Sequence, residues 1–223
     1  MNKLMLTTAA ALGALALSGT AHAGNAEGKL QVKLLATGVL PDGKVDTGSP
    51  STGLTGLDTK ANDNVVPTVA IEYFFTPNVS AETICCFTGH HVSVVSPTAT
   101  VYEHAIDHVL VLPATLTLKY HLPLGVVKPY VGAGVTEFFF IDERRGSDLP
   151  STITQAKLED TFGAVLQAGV DVAINDKGLS VSLDAKRYFV RPRSHFYAGT
   201  TEVITAKHKL DPWVVSGGIA YRF

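Results

Sequence analysis

The sequence predicts an all-β protein, an eight-stranded antiparallel transmembrane β-barrel. Three observations lead to this prediction: segments of alternating side-chain character recur along the chain, their connections are short and long in turn, and the last segment ends on an aromatic residue. In residues 211–223 one side carries Trp213, Val215, Ile219, Tyr221 and Phe223, and the other side carries Ser216, Gly218, Ala220 and Arg222. A strand with one apolar face and one small or charged face suits a barrel wall in lipid.

The start of the chain has the pattern of a secretory signal peptide. A basic residue at Lys3, an apolar run over residues 4–17 and a small-residue cleavage site ending at Ala23 follow one another. The apolar run is shorter than the roughly 20 residues that a spanning helix needs, which disfavours a membrane anchor. We therefore expect residues 1–23 to be removed and residues 24–223 to form a single outer-membrane barrel domain.

The composition excludes several classes of protein. The 223 residues are 46% hydrophobic with a formal net charge of −2, which argues against a nucleic-acid-binding protein and against a disordered acidic tail. The only cysteines, Cys85 and Cys86, are adjacent, and a bridge between them would strain the peptide, so we expect no disulfide framework. No later stretch is apolar over a helix-spanning length, so a membrane-embedded form would be a barrel.

Eight segments have strand character, and polar connections separate them. The expected strands are residues 29–40, 65–75, 79–87, 109–120, 130–141, 159–174, 179–190 and 211–223. The expected short turns are residues 76–78, 121–127 and 175–178, and the expected long loops are residues 41–64, 88–108, 142–158 and 191–210. Short turns that alternate with long loops are typical of outer-membrane barrels, whose turns face the periplasm. Both chain ends are then expected in the periplasm.

Charges in the middle of these strands are expected to point into the barrel. A Lys or Arg that faces lipid near the bilayer midplane costs about 2–4 kcal/mol. The expected lumen charges are Lys33, Glu72, Glu82, Lys119, Glu137, Asp171, Asp184, Lys186 and Arg222. Because cations and anions nearly balance, we expect a paired network rather than a filter for ions of one sign. Arg187 falls on the lipid side of its strand and is expected near the outer interface or at a bulge.

Apolar residues on the same inward sides are candidates for lining a channel. They are Leu35, Val111, Val131, Val135, Phe139, Val165 and Val214. An interior this mixed differs from that of a wide aqueous porin, and an eight-stranded barrel leaves a space that side chains nearly fill. The expected lumen is therefore narrow.

Four stretches of the chain resemble a known family. They are LPATL at 112–116, KPYVGAGV at 128–135, FGAVLQAGVD at 162–171, and LDPW with AYRF at 210–213 and 220–223. In order along the chain they are similar to segments of the OmpW family of outer-membrane proteins, which includes the AlkL-type channels for hydrophobic compounds. One departure from the family is the sequence Ala185-Lys186-Arg187, which is more cationic than the aromatic stretch of some relatives.

The resemblance implies a passive outer-membrane channel for small hydrophobic molecules, with a narrow lumen and release sideways through the wall. An apolar upper lumen would offer apolar solutes a route past the lipopolysaccharide sugars, and charges lower down would block straight passage. The implied partners are outer-membrane lipid and lipopolysaccharide, small hydrophobic solutes, and the barrel assembly machinery acting through the terminal Phe223, with no nucleic acid.

A structural or adhesive barrel whose long loops bind external partners is the alternative function. A continuous apolar path from the loops into the barrel would favour the channel, and a salt-bridged core without a cavity would favour the alternative. The sequence His91-Val92-Ser93 has the spacing of a His-x-Ser catalytic motif, and the segment 88–108 also holds His90, His104 and His108, whose imidazoles suit Zn or Cu. These signals are too weak to predict a site, so we expect no enzyme activity, no cofactor and no metal.

Overall fold

The structure is a computed structural model that describes residues 27–41, 44–45, 58–61, 63–85, 88–95 and 100–223. The expected signal peptide, residues 1–23, lies outside this range, so its removal stays a prediction. Within the described ranges, no helix is long and apolar enough to cross a membrane.

The described part of the chain is organised in strands. They are β1 Leu30–Leu40, β2 Lys44–Val45, β3 Asp58–Ala61, β4 Asn64–Phe74, β5 Val79–Cys85, β6 Thr88–Val95, β7 Thr100–His121, β8 Val127–Arg145, β9 Gln155–Leu158, β10 Thr161–Ala173, β11 Leu179–Phe189, β12 Arg193–Ala198, β13 Thr201–Lys209 and β14 Trp213–Arg222. Alternating burial in β1, β11 and β14 follows the period of two that a two-sided wall requires.

The wall strands close into a barrel. Around the sheet β4 is followed by β1, β14, β11, β10, β8 and β7. The circle closes through β5, which pairs with β7 on one edge and with β4 on the other. β5 and β6 follow one another along the opposite edge of β7 and together occupy one wall position, which makes eight positions in all. Every pairing between them is antiparallel, so the predicted eight-stranded antiparallel barrel is confirmed.

Three short turns lie at one end of the barrel, which we call the turn end; the opposite end is the loop end. The turns connect β4 to β5, β7 to β8 and β10 to β11. Gly125 and Gly178 adopt φ angles of 69° and 87° in the second and third turns, which is a conformation that glycine adopts without steric cost. The amide of Phe223 donates to the carbonyl of Leu30 at 2.7 Å, so both ends of the barrel domain lie at the turn end.

The segments expected as long loops contain strands, which corrects the sequence-based expectation. β9, β12, β13 and β2 form a second sheet in the order β2, β13, β12, β9 at the loop end. The amide of His208 donates to the carbonyl of Pro192, and the amide of Leu210 donates to that of Val190, so the hairpin of β12 and β13 continues the wall formed by β11 and β14. Pro192 and Pro212 have no N–H for the ladder, which explains the break between barrel and extension.

The outer surface of the barrel is apolar and the inner surface is largely polar. Leu116 and Leu183 point outward and are each 56% exposed, whereas Thr117 and Asp184 beside them point inward and are buried. This arrangement is the reverse of a water-soluble domain and matches a wall between lipid and lumen.

Gly169 on β10 gives a large inward side chain room to reach the barrel centre. A Cβ atom at this position would lie 2.4 Å from the hydroxyl oxygen of Tyr130 and 2.5 Å from the carbonyl oxygen of Leu183. The Tyr130 hydroxyl can therefore lie across β10 and donate to Oδ2 of Asp184 on β11 at 2.9 Å. Glycine is required here because a backbone and a ring approach one another closely.

We expect Gly169→Ala to destabilise the barrel by about 1–3 kcal/mol, because the added methyl group forces Tyr130 or β11 to move. Urea unfolding in lipid vesicles measures the change. Gly38→Ala is the matched control, since its Cβ would meet only the Val215 carbonyl oxygen, at an ordinary 3.8 Å. Equal stability of the two variants would contradict the assigned role of Gly169.

Candidate functional site: the barrel lumen

Four ionisable side chains meet in the barrel, nearer its turn end. Nζ of Lys119 lies 2.9 Å from Oε2 of Glu72 and 2.9 Å from Oε2 of Glu82. Nζ of Lys33 lies 3.1 Å and 3.3 Å from the same two oxygens. The four residues are between 0% and 2% exposed. Each carboxylate is thus shared by two ammonium groups, which offsets the cost of removing these charges from water.

Three more wall strands extend this cluster across the lumen. Nζ of Lys186 lies 3.1 Å from Oε1 of Glu82 and 2.6 Å from Oδ1 of Asp184. The side-chain amide of Gln167 donates to the same Glu82 oxygen at 2.9 Å and to Oδ2 of Asp184 at 2.6 Å. The hydroxyl of Tyr130 also reaches Asp184, so β8, β10 and β11 are tied to the central cluster.

The side of the network that faces the turn end is also hydrogen-bonded. The hydroxyl of Ser80 donates to Oε1 of Glu72 at 2.5 Å, and Nε2 of His121 lies 2.8 Å from the same oxygen. Oδ1 of Asp171 lies 3.4 Å from Nζ of Lys33. We call the whole set the charge network; its ionisable members are Lys33, Glu72, Glu82, Lys119, His121, Asp171, Asp184 and Lys186.

A small cavity of about 30 Å³ lies between the charge network and the turn end. Its lining includes His121, Asp171, Phe74 and Arg222. The guanidinium of Arg222 lies 3.6 Å from the centre of the Phe74 ring and donates to the carbonyl oxygen of Gly28. The cavity is large enough for about one or two water molecules.

An apolar layer lies on the loop-end side of the charge network. Its buried members are Val39, Val111, Phe138, Val165, Tyr188, Val190 and Val214. Phe140 packs against this layer and against a second apolar cluster formed under the loop-end sheet by Val109, Leu149, Ile153, Ala156 and Phe196. The lumen therefore changes from polar to apolar along its axis, which favours apolar contents toward the loop end.

The structure places eight of the nine predicted lumen charges inside the barrel, and these eight are buried. The prediction is wrong for Glu137, which shares the outward side of β8 with Val135. Its cross-strand partner Phe162 is 72% exposed on that side. Glu137 lies next to Phe138, which pairs with the first residue of β10, so it is near the loop-end edge of the apolar band. A charge there costs only about 0–1 kcal/mol, and the midplane rule does not apply.

The apolar lining candidates divide into two groups. Leu35, Val111, Val165 and Val214 are buried in the barrel interior, and their role in lining a path stays a prediction. The prediction is wrong for Val131, Val135 and Phe139. Val131 and Val135 are each 61% exposed on the outer face, and Phe139 pairs with the outward residue Leu112.

The error on β8 has a single cause. The inward side of this strand carries Tyr130, Gly132, Gly134, Thr136 and Phe138. Its two glycines leave space beside the bulky lumen side chains of neighbouring strands, and a Cβ at Gly132 would lie 3.0 Å from Cγ of Lys119. A shift of one residue exchanges the two faces of a strand, so the prediction that Glu137 points inward reverses both faces of β8.

Sequence reasoning missed several other members of the lumen. Gln31, Tyr130, Gln167 and His121 are buried and hydrogen-bonded to network carboxylates. Gln31 shares the side of Lys33, and His121 shares the side of Lys119. The same alternation could therefore have found these two residues.

One stretch of the barrel wall lacks strand pairing between described neighbours. Residues 64–66 of β4 pair with β1, and β4 pairs with β5 only below this stretch. The facing residues 88–90 belong to β6, whose paired neighbours are β3 and β7. The side-chain amide of Asn64 donates to the backbone carbonyl oxygen of Gly89 at 2.8 Å across the gap. We call residues 64–66 and 88–90 the wall break.

The inner side of the wall break is lined by buried residues. Val66 packs against Leu35, Ala70 and Ile84. Thr68 is 4% exposed, and its hydroxyl has no hydrogen-bond partner in the described part of the chain. The wall break thus adjoins an apolar cluster, just above the charge network.

An eight-stranded antiparallel barrel with an apolar outer surface and an ion-paired lumen defines the class of small outer-membrane β-barrels. A sequence profile of the OmpW family matches residues 26–223, so the chain belongs to the OmpW family. It is accordingly an outer-membrane protein, surrounded by outer-membrane lipid and lipopolysaccharide.

Relatives agree with this assignment. An outer-membrane protein of Sinorhizobium fredii, y4mB, is 30% identical over 194 residues, which are 86% of this chain and 79% of the relative. The dibenzothiophene metabolism operon protein PahQ of Pseudomonas aeruginosa is 34% identical over 112 residues, half of each chain. The crystal structure of OprG from Pseudomonas aeruginosa superposes with a TM-score of 0.76 at 21% identity, covering 90% of this chain and 98% of OprG, and so has the same fold.

We expect Lys119→Met to destabilise the barrel by about 3–5 kcal/mol, because Glu72 and Glu82 both lose a buried cationic partner. The midpoint of urea unfolding in lipid vesicles measures this change.

Arg144→Met is the matched control, since Arg144 is exposed and pairs with Asp142 at 3.0 Å; we expect a loss of at most about 1 kcal/mol. A Lys119 variant as stable as the control would show that the charge network does not hold the wall strands together.

Proposed function

We propose that this protein is a passive channel that brings small hydrophobic molecules into the outer membrane and releases them sideways through the wall break. The observation that carries the proposal is the position of the wall break. It lies beside an apolar interior and just above a charge network that closes the straight path. A solute entering from the loop end would meet apolar walls first, a buried layer of ions next, and lipid beside it.

The charge network supports sideways release over axial passage. An apolar molecule passing along the axis would have to separate Lys33 and Lys119 from Glu72 and Glu82. Breaking a buried ion pair costs about 3–5 kcal/mol, and an apolar molecule offers these charges no replacement. Opening the wall break separates no strand ladder among the described neighbours and breaks the Asn64 hydrogen bond, which contributes about 0.5–1.5 kcal/mol. The sideways route is therefore the one of lower energy.

One relative also supports hydrophobic solutes. The name of PahQ places it in an operon for the metabolism of dibenzothiophene, an apolar aromatic compound. A cell that degrades such a compound needs it to cross the lipopolysaccharide layer. The part of PahQ that matches is half of its length, so the solute of this chain is proposed as a class, small and hydrophobic, and not as that compound.

One observation supports the adhesive alternative. The loop-end segments are folded into a sheet with its own apolar core of Phe196, Ile153 and Leu149, and such a rigid surface could bind an external partner. This function needs no solute path, so transport measurements separate the two proposals.

We expect Thr68→Trp to lower the uptake of a short alkane or aromatic compound toward that of protein-free liposomes. Thr68 points inward beside the wall break, and an indole there would stand between the wall break and the cluster of Leu35 and Ile84. Uptake into liposomes containing the purified protein is the measurement.

Leu116→Trp is the matched control, because it adds the same ring on the lipid-facing side of β7. We expect this variant to transport at the wild-type rate. Wild-type liposomes that take up no more solute than empty ones would refute the channel, and unchanged uptake by Thr68→Trp would refute the sideways route.

We further propose that the turn end and both chain ends face the periplasm, with Phe223 read by the barrel assembly machinery. The short turns at one end and the extended strands at the other support this orientation.

An epitope inserted after Thr200, at the tip of the β12–β13 hairpin, is expected to bind antibody on intact cells. An epitope inserted after Gly125, in a turn with open space around it, should bind antibody only after the outer membrane is permeabilised. The reverse result would invert the orientation.

A further inference from the structure

A stripe of cations runs up the outer face of two adjacent wall strands at the loop end. On β11 and its continuation β12 the outward residues include Arg187, Arg191 and Arg193, and on β13 they include Lys207 and Lys209. We call these five residues the basic stripe.

The centre of the stripe is a pair of like charges. Arg193 and Lys207 are direct cross-strand partners. In the described part of the chain, neither charged group has a hydrogen bond or an ion pair, and like charges opposite one another destabilise a sheet. An arrangement that costs stability in the protein alone suggests that an anion bound from outside compensates it.

The anionic residues near the stripe are already engaged. Asp211 is buried and contacts the guanidinium of Arg191, with Nζ of Lys209 at 3.9 Å. Glu159 and Glu202 both lie within ion-pair distance of His195. The hydroxyl of Thr205, followed by His195, holds the pKa of Glu202 below its ordinary value. In the described part of the chain, none of these three carboxylates forms an ion pair with Arg193 or Lys207.

The height of the stripe matches the headgroups of one leaflet. Phe189 and Trp213 are exposed on the outer face and mark the loop-end edge of the apolar band, and Arg187 lies 5.3 Å from the Trp213 ring. Arg193 follows Phe189 by four residues. With about 3.3 Å per residue and a strand tilt of about 40°, it stands about 10 Å above that edge. The polar headgroup region begins at the edge and is roughly 5–8 Å thick on each side, so the stripe spans it and reaches the first sugars.

The neighbouring part of the rim, next to β11 in the barrel, carries carboxylates. Around the loop-end parts of β8 and β10, the exposed or half-buried ionisable residues include Glu137, Asp142, Glu143 and Asp160. Among the described side chains there, Arg144 is paired with Asp142 and Lys157 interacts with Glu143. Charge on the rim is thus divided, with unpaired cations on the β12 and β13 side.

We propose that the basic stripe is a docking site for lipopolysaccharide, with Arg193 and Lys207 clamping one of its sugar phosphates. A guanidinium and an ammonium on directly opposed residues can donate to two oxygens of one phosphate group, and hydrogen bonds between charged partners are the strong ones. Arg191 and Lys209, one step closer to the apolar band, would face a second phosphate while the acyl chains cover Phe189 and Trp213. The site rests on the proposed orientation of the barrel and is independent of solute transport.

Titration of the purified full-length protein with lipopolysaccharide tests this site. The chain has one tryptophan, Trp213. Its fluorescence reports binding directly below the stripe. We expect the double variant Arg193→Ala/Lys207→Ala to bind lipopolysaccharide roughly tenfold more weakly, since two charge-assisted contacts are lost. Arg144→Ala removes an exposed rim cation that is paired with Asp142 and should bind as the wild type does.

Two further arms identify the source of the phosphate. Dephosphorylated lipopolysaccharide should bind the wild type no better than intact lipopolysaccharide binds the double variant. Inorganic phosphate alone should not reproduce the fluorescence change, because it brings no acyl chains to the Trp213 surface. Heat-modifiable mobility on gels confirms that each variant is folded.

Equal affinity of the wild type and the double variant would overturn the proposal, and so would an equal loss in Arg144→Ala. Saturation by inorganic phosphate with the same signal would also overturn it as a lipid site. None of these results bears on the channel, because the liposome uptake experiment uses vesicles without lipopolysaccharide.

Discussion

The shared ion pairs of Lys33 and Lys119 with Glu72 and Glu82 are the interaction on which the rest of the barrel depends. These residues come from β1, β7, β4 and β5, and further contacts reach Asp184, Lys186 and Gln167 on β10 and β11. An eight-stranded barrel is just wide enough for inward side chains to meet at its axis. The same closeness fills the centre of the barrel with ion pairs, so the contacts that stabilise the barrel also occupy its lower lumen.

The interior on the loop-end side of the charge network differs in character from the network itself. Above it the interior carries apolar clusters, from Leu35 and Ile84 up to Val165 and Val214. Buried, hydrogen-bonded hydroxyls, such as the pair of Thr37 and Ser216, lie between them. Beside that interior, β4 and β6 face one another without a ladder. The other neighbouring wall strands of the described barrel are joined by backbone ladders, which makes the wall break the candidate for the proposed sideways opening. The two proposed sites lie on different parts of the molecule, since the basic stripe belongs to β11, β12 and β13.

Much of the lumen could be predicted from the sequence because strand geometry has a period of two. Once a strand contains one mid-membrane charge, as β1, β4 and β11 do, the side of every other residue follows. The prediction is wrong on β8, where Glu137 lies near an interface and can face outward at little cost. The loop-end strands β12 and β13 were not predicted, because prolines at positions 192 and 212 interrupt their alternation with β11 and β14.

The sequence by itself determined the class of protein, the eight wall strands, the inward side of most of them and the membership of the family. These properties depend on local alternation and on the cost of charge in lipid, and each strand carries both signals. Only the tertiary structure decided which charges share a partner, where the wall lacks a ladder, and that Arg193 stands opposite Lys207. Those facts depend on the register between strands and on barrel closure, which join residues far apart in the chain and leave no local pattern.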